Sequence, residues 1–487
     1  MSKRLIMILA LAFVVGIAFT AYAEVQNVKV SGDLLLDAIN RSNFTLTDTH
    51  GPGKYKASGL TSQLRLRFDA DLTDNVSTTV RLINESSWGQ GLGAYDPAAF
   101  IYDNYGSYLT DGQWLQGATD IWDHPINVDL AYVTLKEFLY SPLTLTLGRQ
   151  ELRFGNALII GNSGVGATSF GIPFDLSLRK SFDAIRANLD YNPWVLDIVY
   201  AKINENDNWW LQNVANRCPE NNDADLMGIN AAWDMKAAGI GGKTELYFWR
   251  KENKLNWADE DGSIKKDVVN TVGALVSGEI RKNLTGSLEA AWQFGTEGYD
   301  PTYLNETNAK RHAMALQAMV NYAFETKNKT APTLGLSYTY LSGDNKDDHR
   351  QSFWDPMFED QRPNEITNAI FPNSGVMCLN VMGSIKPRED LTLALNYGYY
   401  LMSKKFEDYV AIPSPYGRYG YISGEYSWNG EKELGQALDL KATYDYTEDV
   451  QLGLAFGLFT PGKALKNNWR ALDQTATQLI GSMKVTF

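Results

Sequence analysis

The sequence has few of the residues that build metal or redox sites. Its only cysteines, Cys218 and Cys378, lie far apart, and this spacing favours two unpaired thiols over a disulfide. The four histidines show no H-x-x-x-H or similar ligand spacing, so the sequence predicts no metal and no cofactor. The formal net charge is -13 and no segment is a basic block, which argues against nucleic acid as a partner.

Long apolar runs are confined to the amino-terminal end. Lys3 and Arg4 precede an apolar run from Leu5 to Phe19, and Ala21-Tyr22-Ala23 is a small-x-small cleavage site. We therefore predict a signal peptide over residues 1–23, in preference to a membrane anchor, and one mature domain over residues 24–487. The later sequence lacks the roughly 20 apolar residues of a transmembrane helix. A transmembrane β-barrel stays possible, because its strands place lipid-facing residues only at alternate positions.

Alternation of apolar and polar residues is the dominant pattern in the rest of the chain. In the stretch from Leu143 to Asn156, leucines 143, 145 and 147 alternate with threonines 144 and 146. This period of two predicts a strand with one apolar face and one polar face. Apolar residues return out of phase after Gly148, so we predict a bulge there. With that bulge, Arg149, Glu151 and Arg153 share the threonine face.

About 18 segments of this kind follow one another, each roughly as long as a tilted strand that crosses a bilayer. The connections between them alternate between tight turns, such as Thr73 to Asn75, and long loops, such as Gly89 to Pro125. The pattern predicts an all-β fold: a transmembrane up-and-down antiparallel β-barrel of about 18 strands. Short turns are then periplasmic and long loops extracellular, and aromatic residues at the strand ends mark the membrane interfaces.

Charged residues at mid-strand positions are the candidate pore-lining groups. Arg65, Arg67, Arg81, Arg149 and Arg186 are predicted to form a belt at mid-height, with Arg153 just above it. Guanidinium groups suit carboxylates and phosphates that pass through a confined lumen. These arginines could equally pair with acidic neighbours in ladders that stiffen the wall.

Acidic residues are predicted on the opposite wall of the barrel. Glu245 and Glu289 lie at mid-height there, and Lys441 is offset by Asp439. Positive charge facing negative charge across the lumen would create a transverse field, which sorts dipolar solutes rather than attracting anions alone.

Several short motifs occur in order along the chain. Gly148-Arg149-Gln150-Glu151-Leu152 is followed by Phe182-Asp183-Ala184-Ile185-Arg186, Phe353-Trp354-Asp355-Pro356 and Phe459-Thr460-Pro461-Gly462. The set resembles the alginate-export family of outer-membrane porins. The resemblance implies an 18-stranded barrel whose arginine-rich lumen passes an anionic polysaccharide, with Arg149 and Arg186 in matching motifs. Asn156 replaces the aspartate that is usual in the family.

The carboxy-terminal strand ends in Phe487, which is similar to the signature that the barrel assembly machinery recognises in outer-membrane proteins. Our hypothesis is an outer-membrane channel that carries hydrophilic, anionic sugar-like solutes by diffusion through an arginine constriction. One alternative is a less specific porin with a transverse field. Another is an outer-membrane enzyme or binding protein that acts through its loops, although no catalytic motif supports an enzyme.

Overall fold

The structure is a computed structural model. It describes residues 27–43, 46, 56–88, 126–161, 181–203, 224–239, 241–258, 264–296, 310–326, 330–343, 350–361, 363–368, 370, 373–404, 430–466 and 472–487. The predicted signal peptide and Cys218 lie outside the described residues.

Antiparallel strands make up almost the whole described chain. In order they are β1 (Asn27–Ser42), β2 (Lys56–Thr73), β3 (Val76–Trp88), β4 (Ile126–Leu135), β5 (Leu143–Gln150), β6 (Phe182–Asp190), β7 (Trp194–Ile203), β8 (Ala224–Asp234), β9 (Gly242–Ala258), β10 (Ile264–Arg281), β11 (Leu284–Thr296), β12 (Lys310–Ala323), β13 (Thr333–Leu341), β14 (Arg350–Gln351), β15 (Val376–Arg388), β16 (Leu391–Met402), β17 (Glu433–Asp445), β18 (Val450–Pro461) and β19 (Ala476–Thr486). The described helices are one turn long: a 3-10 helix (Met235–Ala238), α1 (Glu365–Asn368) and α2 (Lys463–Lys466).

The sheet closes on itself, because β1 pairs with both β2 and β19. Each barrel strand pairs with the strands before and after it, and β13 pairs directly with β15. The two-residue strand β14 lies outside this ring and pairs in parallel with the start of β12. The predicted closed barrel of 18 antiparallel strands is therefore confirmed.

The outer face of the barrel is apolar. Leu34 lies opposite both Leu64 and Val485, and Leu64, Leu288 and Leu454 are among the exposed apolar side chains. Aromatic side chains cluster beside the tight turns, where Trp194 stacks on Trp233 with ring centroids 5.5 Å apart. An apolar band bordered by aromatic residues is the surface that lipid requires. No helix in the described part of the chain is long and apolar enough to cross a membrane.

Strand β5 ends earlier than predicted. It ends at Gln150 rather than Phe154, and its pairing with β6 runs without a register shift from Leu143 to Gln150. The predicted bulge at Gly148 is therefore wrong, although this glycine has a φ of 119°. The apolar residues return out of phase because the chain leaves the sheet and turns into the barrel.

The connections follow the predicted alternation with one exception. Residues 74–75, 282–283 and 389–390 form tight turns at one end of the barrel, whereas at the other end β3 ends at Trp88 and β4 begins only at Ile126. The exception is the connection between β9 and β10: the sequence pattern predicts strands over Gly242 to Lys251 and Thr271 to Ile280, whereas β9 extends to Ala258 and β10 begins at Ile264. Polar residues beyond the apolar band let this hairpin continue its pairing in water.

Two stretches of chain fold into the lumen. We call residues 151–161 the first inner segment, and residues 352–361 with 363–368 the second inner segment. Leu152, Ile160 and Trp354 from these segments pack against inward residues of β6 to β13 in one apolar cluster. Ile366 belongs to a second cluster against β15 to β19. Much of the lumen at this height is thus filled by protein.

Candidate functional site: the lumen

The first inner segment folds inward because its sequence is apolar. Leu152, Leu158 and Ile160 are almost completely buried. The Gln150 side chain donates hydrogen bonds to the carbonyl oxygens of Thr146, Gly148 and Ala184, which satisfies backbone acceptors where the strand ends.

The two inner segments bind each other through their backbones. Phe358 N–H donates to Ile159 O at 3.0 Å, and Gly161 N–H donates to Phe358 O at 2.8 Å. Asp360 N–H donates to Ala157 O at 2.9 Å. The two segments therefore form one connected unit inside the barrel.

Glu245 and Glu289 hold the turn of the first inner segment. Gly155 N–H donates to Glu245 Oε2 at 3.0 Å, and Asn156 N–H donates to Glu289 Oε2 at 3.1 Å. The Tyr247 hydroxyl donates to Glu289 Oε1 at 2.9 Å. Both carboxylates are buried, so they do not form the exposed negative wall that the transverse field requires.

Gly155 is the residue that lets the turn approach Glu289. Its φ is 58°, and a Cβ at this position would lie 2.9 Å from Glu289 Oε1. Other residues rarely adopt this backbone conformation, and here there is also little space for a side chain. Glycine is thus required for both conformation and room.

Asn156 connects the turn to several elements at once. Its Nδ2 donates to Ser287 Oγ at 3.3 Å and to Gln317 Oε1 at 3.5 Å, and its carbonyl oxygen accepts from Gln361 Nε2 at 2.5 Å. An ionised aspartate could not donate and would add charge next to Glu289. An asparagine at this position can donate hydrogen bonds without adding a negative charge next to Glu289.

Asp355 fixes the second inner segment to the wall. Its carboxylate lies 2.6 Å from Lys251 Nζ and also accepts from Met357 N–H. The Gln293 side chain accepts a hydrogen bond from Asp355 N–H at 2.9 Å and donates one to the Asp355 carbonyl oxygen at 2.7 Å. Although burial raises the Asp355 pKa, Lys251 and Arg311 more than offset this effect and hold the pKa below its ordinary value.

Asp439 fixes the end of the second inner segment. Its Oδ2 accepts from Asn364 Nδ2 and from Glu365 N–H, both at 2.8 Å. Lys441 lies 3.9 Å from Glu365 on the same wall, facing inward as predicted. Its predicted partner, Asp439, instead binds the backbone at the start of α1.

The predicted arginines of β2, β3 and β6 face the lumen, and each is paired. Arg65 binds Asp33 with its nearest atoms 2.9 Å apart, and Arg67 binds Asp69 at 2.7 Å. Arg186 Nε donates to Asp197 Oδ1 at 2.7 Å, and its guanidinium lies 5.4 Å from the centre of the Phe154 ring. We call Arg65, Arg67, Arg81 and Arg186 the arginine wall.

Arg81 connects the arginine wall to the first inner segment. It lies 2.5 Å from Asp129 Oδ2 and 2.5 Å from Glu151 Oε1. Arg153 lies on the segment itself and binds Asp360 of the second inner segment at 2.6 Å. Both arginines therefore help to hold the inner segments, in addition to any contact with a solute.

Arg149 does not face the lumen. It lies opposite Asp183 in the β5–β6 register and contacts this residue at 3.3 Å. Asp183 shares its face of β6 with the exposed Ile185, which points to lipid. The prediction of Arg149 as a pore-lining residue is wrong, because the bulge that would have turned it inward does not exist.

Sequence reasoning missed the residues that hold the inner segments, namely Asp355, Gln361 and Asn364. The F-W-D-P motif around Asp355 was a usable signal, since a tryptophan and a proline beside an acid are unusual in an exposed loop. The partners of Glu245 and Glu289 gave no signal, since they lie 90 and 133 residues away in sequence.

Comparison with known proteins identifies the family of this barrel. The sequence model described as alginate export matches residues 37–477, nearly the whole chain. The chain belongs to the alginate export family. A search of the curated proteins found no match.

Solved structures with the same fold include OpdK, an outer-membrane protein of Pseudomonas aeruginosa. OccAB1 of Acinetobacter baumannii aligns with a TM-score of 0.55 and 10% identity, over 96% of this chain and 98% of that one. The structure of OpdK of Pseudomonas aeruginosa with vanillate aligns with a TM-score of 0.54 and 12% identity, over 94% of this chain and 99% of that one. OpdQ of the same organism aligns with a TM-score of 0.51 and 12% identity, over 96% of this chain and 100% of that one. The protein is thus a Gram-negative outer-membrane channel by family and fold.

Proposed function

We propose that this channel passes hydrophilic, anionic, sugar-like solutes by diffusion along the arginine wall. The described inner segments pack mainly against β6 to β13 and β15 to β19. Arg65 and Arg67 of the arginine wall lie on β2, beside that packed region, and keep partly exposed side chains.

One observation carries this proposal: the inward cations are more exposed than the acids that bind them. The Arg186 side chain is 32% exposed and Asp197 is 6% exposed, while Lys243 is 50% exposed and Glu245 is 5% exposed. Arg65, Arg67, Arg153 and Lys441 show the same order, while the Arg81–Glu151 and Arg311–Asp267 pairs show the reverse. The charge that a solute meets is therefore mainly positive.

The pairing of each arginine also suits this role. A guanidinium has five N–H donors, and a carboxylate on one edge leaves the other donors for carboxylate or hydroxyl oxygens of a solute. The ladders expected as an alternative are present, and they hold the arginines in fixed positions. Fixed donors bind at a lower entropic cost than mobile ones.

Bilayer recording under a salt gradient tests the proposal. We expect the wild-type channel to prefer chloride, and R65Q/R186Q to lower the anion-to-cation permeability ratio at least about twofold. R149Q/R250Q is the matched control, since both arginines lie on the outer face, and it should leave the ratio unchanged. Cation preference in the wild type, or equal shifts in both variants, would contradict the proposal.

Uronate oligosaccharides provide a second readout in the same experiment. Their carboxylates should interrupt the wild-type current in a concentration-dependent manner, and neutral oligosaccharides of equal length should do so more weakly. The transverse-field alternative predicts instead that E289Q shifts the permeability ratio as strongly as the arginine variants. Hydrolysis of a substrate without conductance would support the loop-based enzyme.

A further inference from the structure

A row of charged side chains crosses the outer face of the barrel at the extracellular ends of β5 to β9. Arg149 lies opposite Asp183, Asp183 opposite Lys202, Lys202 opposite Asp225, and Asp225 opposite Glu252. Cross-strand partners share a face of the sheet. All five side chains therefore point away from the lumen, and we call them, with Arg250 and Lys266, the outer charge row.

Arg250 and Lys266 complete the row at β9 and β10. Both bind Glu252, with Arg250 Nη2 at 2.8 Å and Lys266 Nζ at 2.5 Å. Arg250 lies opposite Met227, on the same outer face as the exposed Phe248. The outer charge row thus places seven charged groups in one outward-facing patch, and four of these groups are cations.

The cations dominate the accessible part of this patch. Lys202 Nζ lies 2.5 Å from Asp225 Oδ1, yet the Lys202 side chain is 49% exposed and Asp225 is 13% exposed. Asp225 also accepts a hydrogen bond from the Tyr200 hydroxyl. Glu252 is similarly covered by its two cations. Asp183 is the exception, since its side chain is 47% exposed and that of Arg149 is 32% exposed. Elsewhere in the row the acids orient the cations, and the cations meet the surroundings.

The depth of Lys202 places the middle of the row near the outer interface of the membrane. Lys202 lies eight residues after Trp194, which belongs to the aromatic cluster beside the tight turns. At about 3.3 Å per residue and a tilt of about 40°, this is about 20 Å along the membrane normal. The apolar band of such barrels is about 25 Å tall. Ile198 and Tyr200 lie between the two levels and are exposed.

We propose that the outer charge row binds the phosphate groups of the phosphorylated glycolipid of the outer leaflet, lipid A. Lysine and arginine form charge-assisted hydrogen bonds to phosphate oxygens, and arginine can do so with two donors. The acids between the cations keep the long side chains apart and directed outward. The inference depends on the outer-membrane location of the barrel and not on what the lumen transports.

Native mass spectrometry of the full chain in detergent, titrated with lipid A, tests this site. Two charges near a lipid surface contribute about 1 kcal/mol each, so K202Q/K266Q should weaken lipid A binding about tenfold or more. K282Q/R388Q is the matched control, since it removes two exposed cations near the opposite end of the barrel. The K282Q/R388Q variant should bind lipid A with an affinity within about twofold of the wild type, because it leaves the outer charge row intact.

Dephosphorylated lipid A should bind weakly to all three proteins. Equal losses in both pairs, unchanged binding by K202Q/K266Q, or equal binding of dephosphorylated lipid A would each overturn the proposal. A dimer that K202Q/K266Q disrupts in the absence of lipid would overturn it in favour of contact between copies. If the double variant fails to give a heat-modifiable folded band, R149Q should still weaken binding about fivefold.

Discussion

The two sides of the barrel use inward-facing charged residues for different purposes. On β2, Arg65 binds Asp33 and Arg67 binds Asp69, and both arginines keep partly exposed side chains. On β9 and β11, Glu245 and Glu289 are buried beneath the first inner segment and bind its backbone. A charged residue that points into a barrel is therefore part of the passage only where no inner segment covers it.

The largest expected effect comes from removing the carboxylates on the packed side. Hydrogen bonds to charged groups contribute about 1.5–3 kcal/mol each, so E245Q/E289Q should release the turn of the first inner segment. We expect the single-channel conductance to rise about twofold or more as the segment leaves its position. E279Q/E325Q removes two exposed acids near the tight turns and should not change conductance. An unchanged conductance in E245Q/E289Q would show that the acids do not hold the segment.

A smaller effect is expected when the second inner segment loses its ionic contact. Loss of one partner from a buried pair costs about 3 kcal/mol, so D355N should expose residues 352–361 to limited proteolysis while the barrel stays folded. Asp445 lies near a tight turn and binds Gln451, so D445N is the control. Equal cleavage in D355N and D445N would contradict a specific role of Asp355.

The same contact gives a pH dependence. Because the folded-state pKa of Asp355 lies below the ordinary value of 3.8, its contribution is fully present above that value and is lost as pH falls through the lower, folded-state pKa. Proteolysis of the wild type at pH 7 and pH 5 should therefore be equal when corrected for protease activity. Release already at pH 5 would contradict this assignment.

The smallest effect is expected at Gly155. G155A introduces a Cβ 2.9 Å from Glu289 at a positive φ, which should weaken docking of the first inner segment by about 1–2 kcal/mol. Brief openings to the higher conductance of E245Q/E289Q should become more frequent. G481A is the control, because a Cβ at Gly481 meets nothing within 4 Å. Openings no more frequent than in G481A would argue against this geometry.

The sequence was sufficient for the barrel but not for its interior. Alternation is a local property, so the order of the strands and the two-faced wall followed from residues such as Leu143 to Leu147. The first inner segment reads as an extension of β5, since Leu152 and Phe154 also alternate with charged residues. Only the structure shows that Leu152 and Phe154 pack inside the barrel.

The error at Arg149 shows how much depends on one residue of phase. A period of two assigns every later side chain to the opposite face when a bulge is assumed. Arg186 was assigned correctly because its strand contains no such ambiguity. The partners of Glu289 could not be predicted, since hydrogen bonds between a strand and a distant loop leave no spacing in the sequence.

Cys378 gives the protein an internal chemical reporter. Its thiol is buried in the cluster that contains Ile366, with Sγ 2.7 Å from Asn380 Oδ1. A maleimide can react with it only when the residues around α1 move away. In a chain with Cys218 replaced by serine, the rate at which a maleimide labels Cys378 would time the opening of the second inner segment without an introduced cysteine.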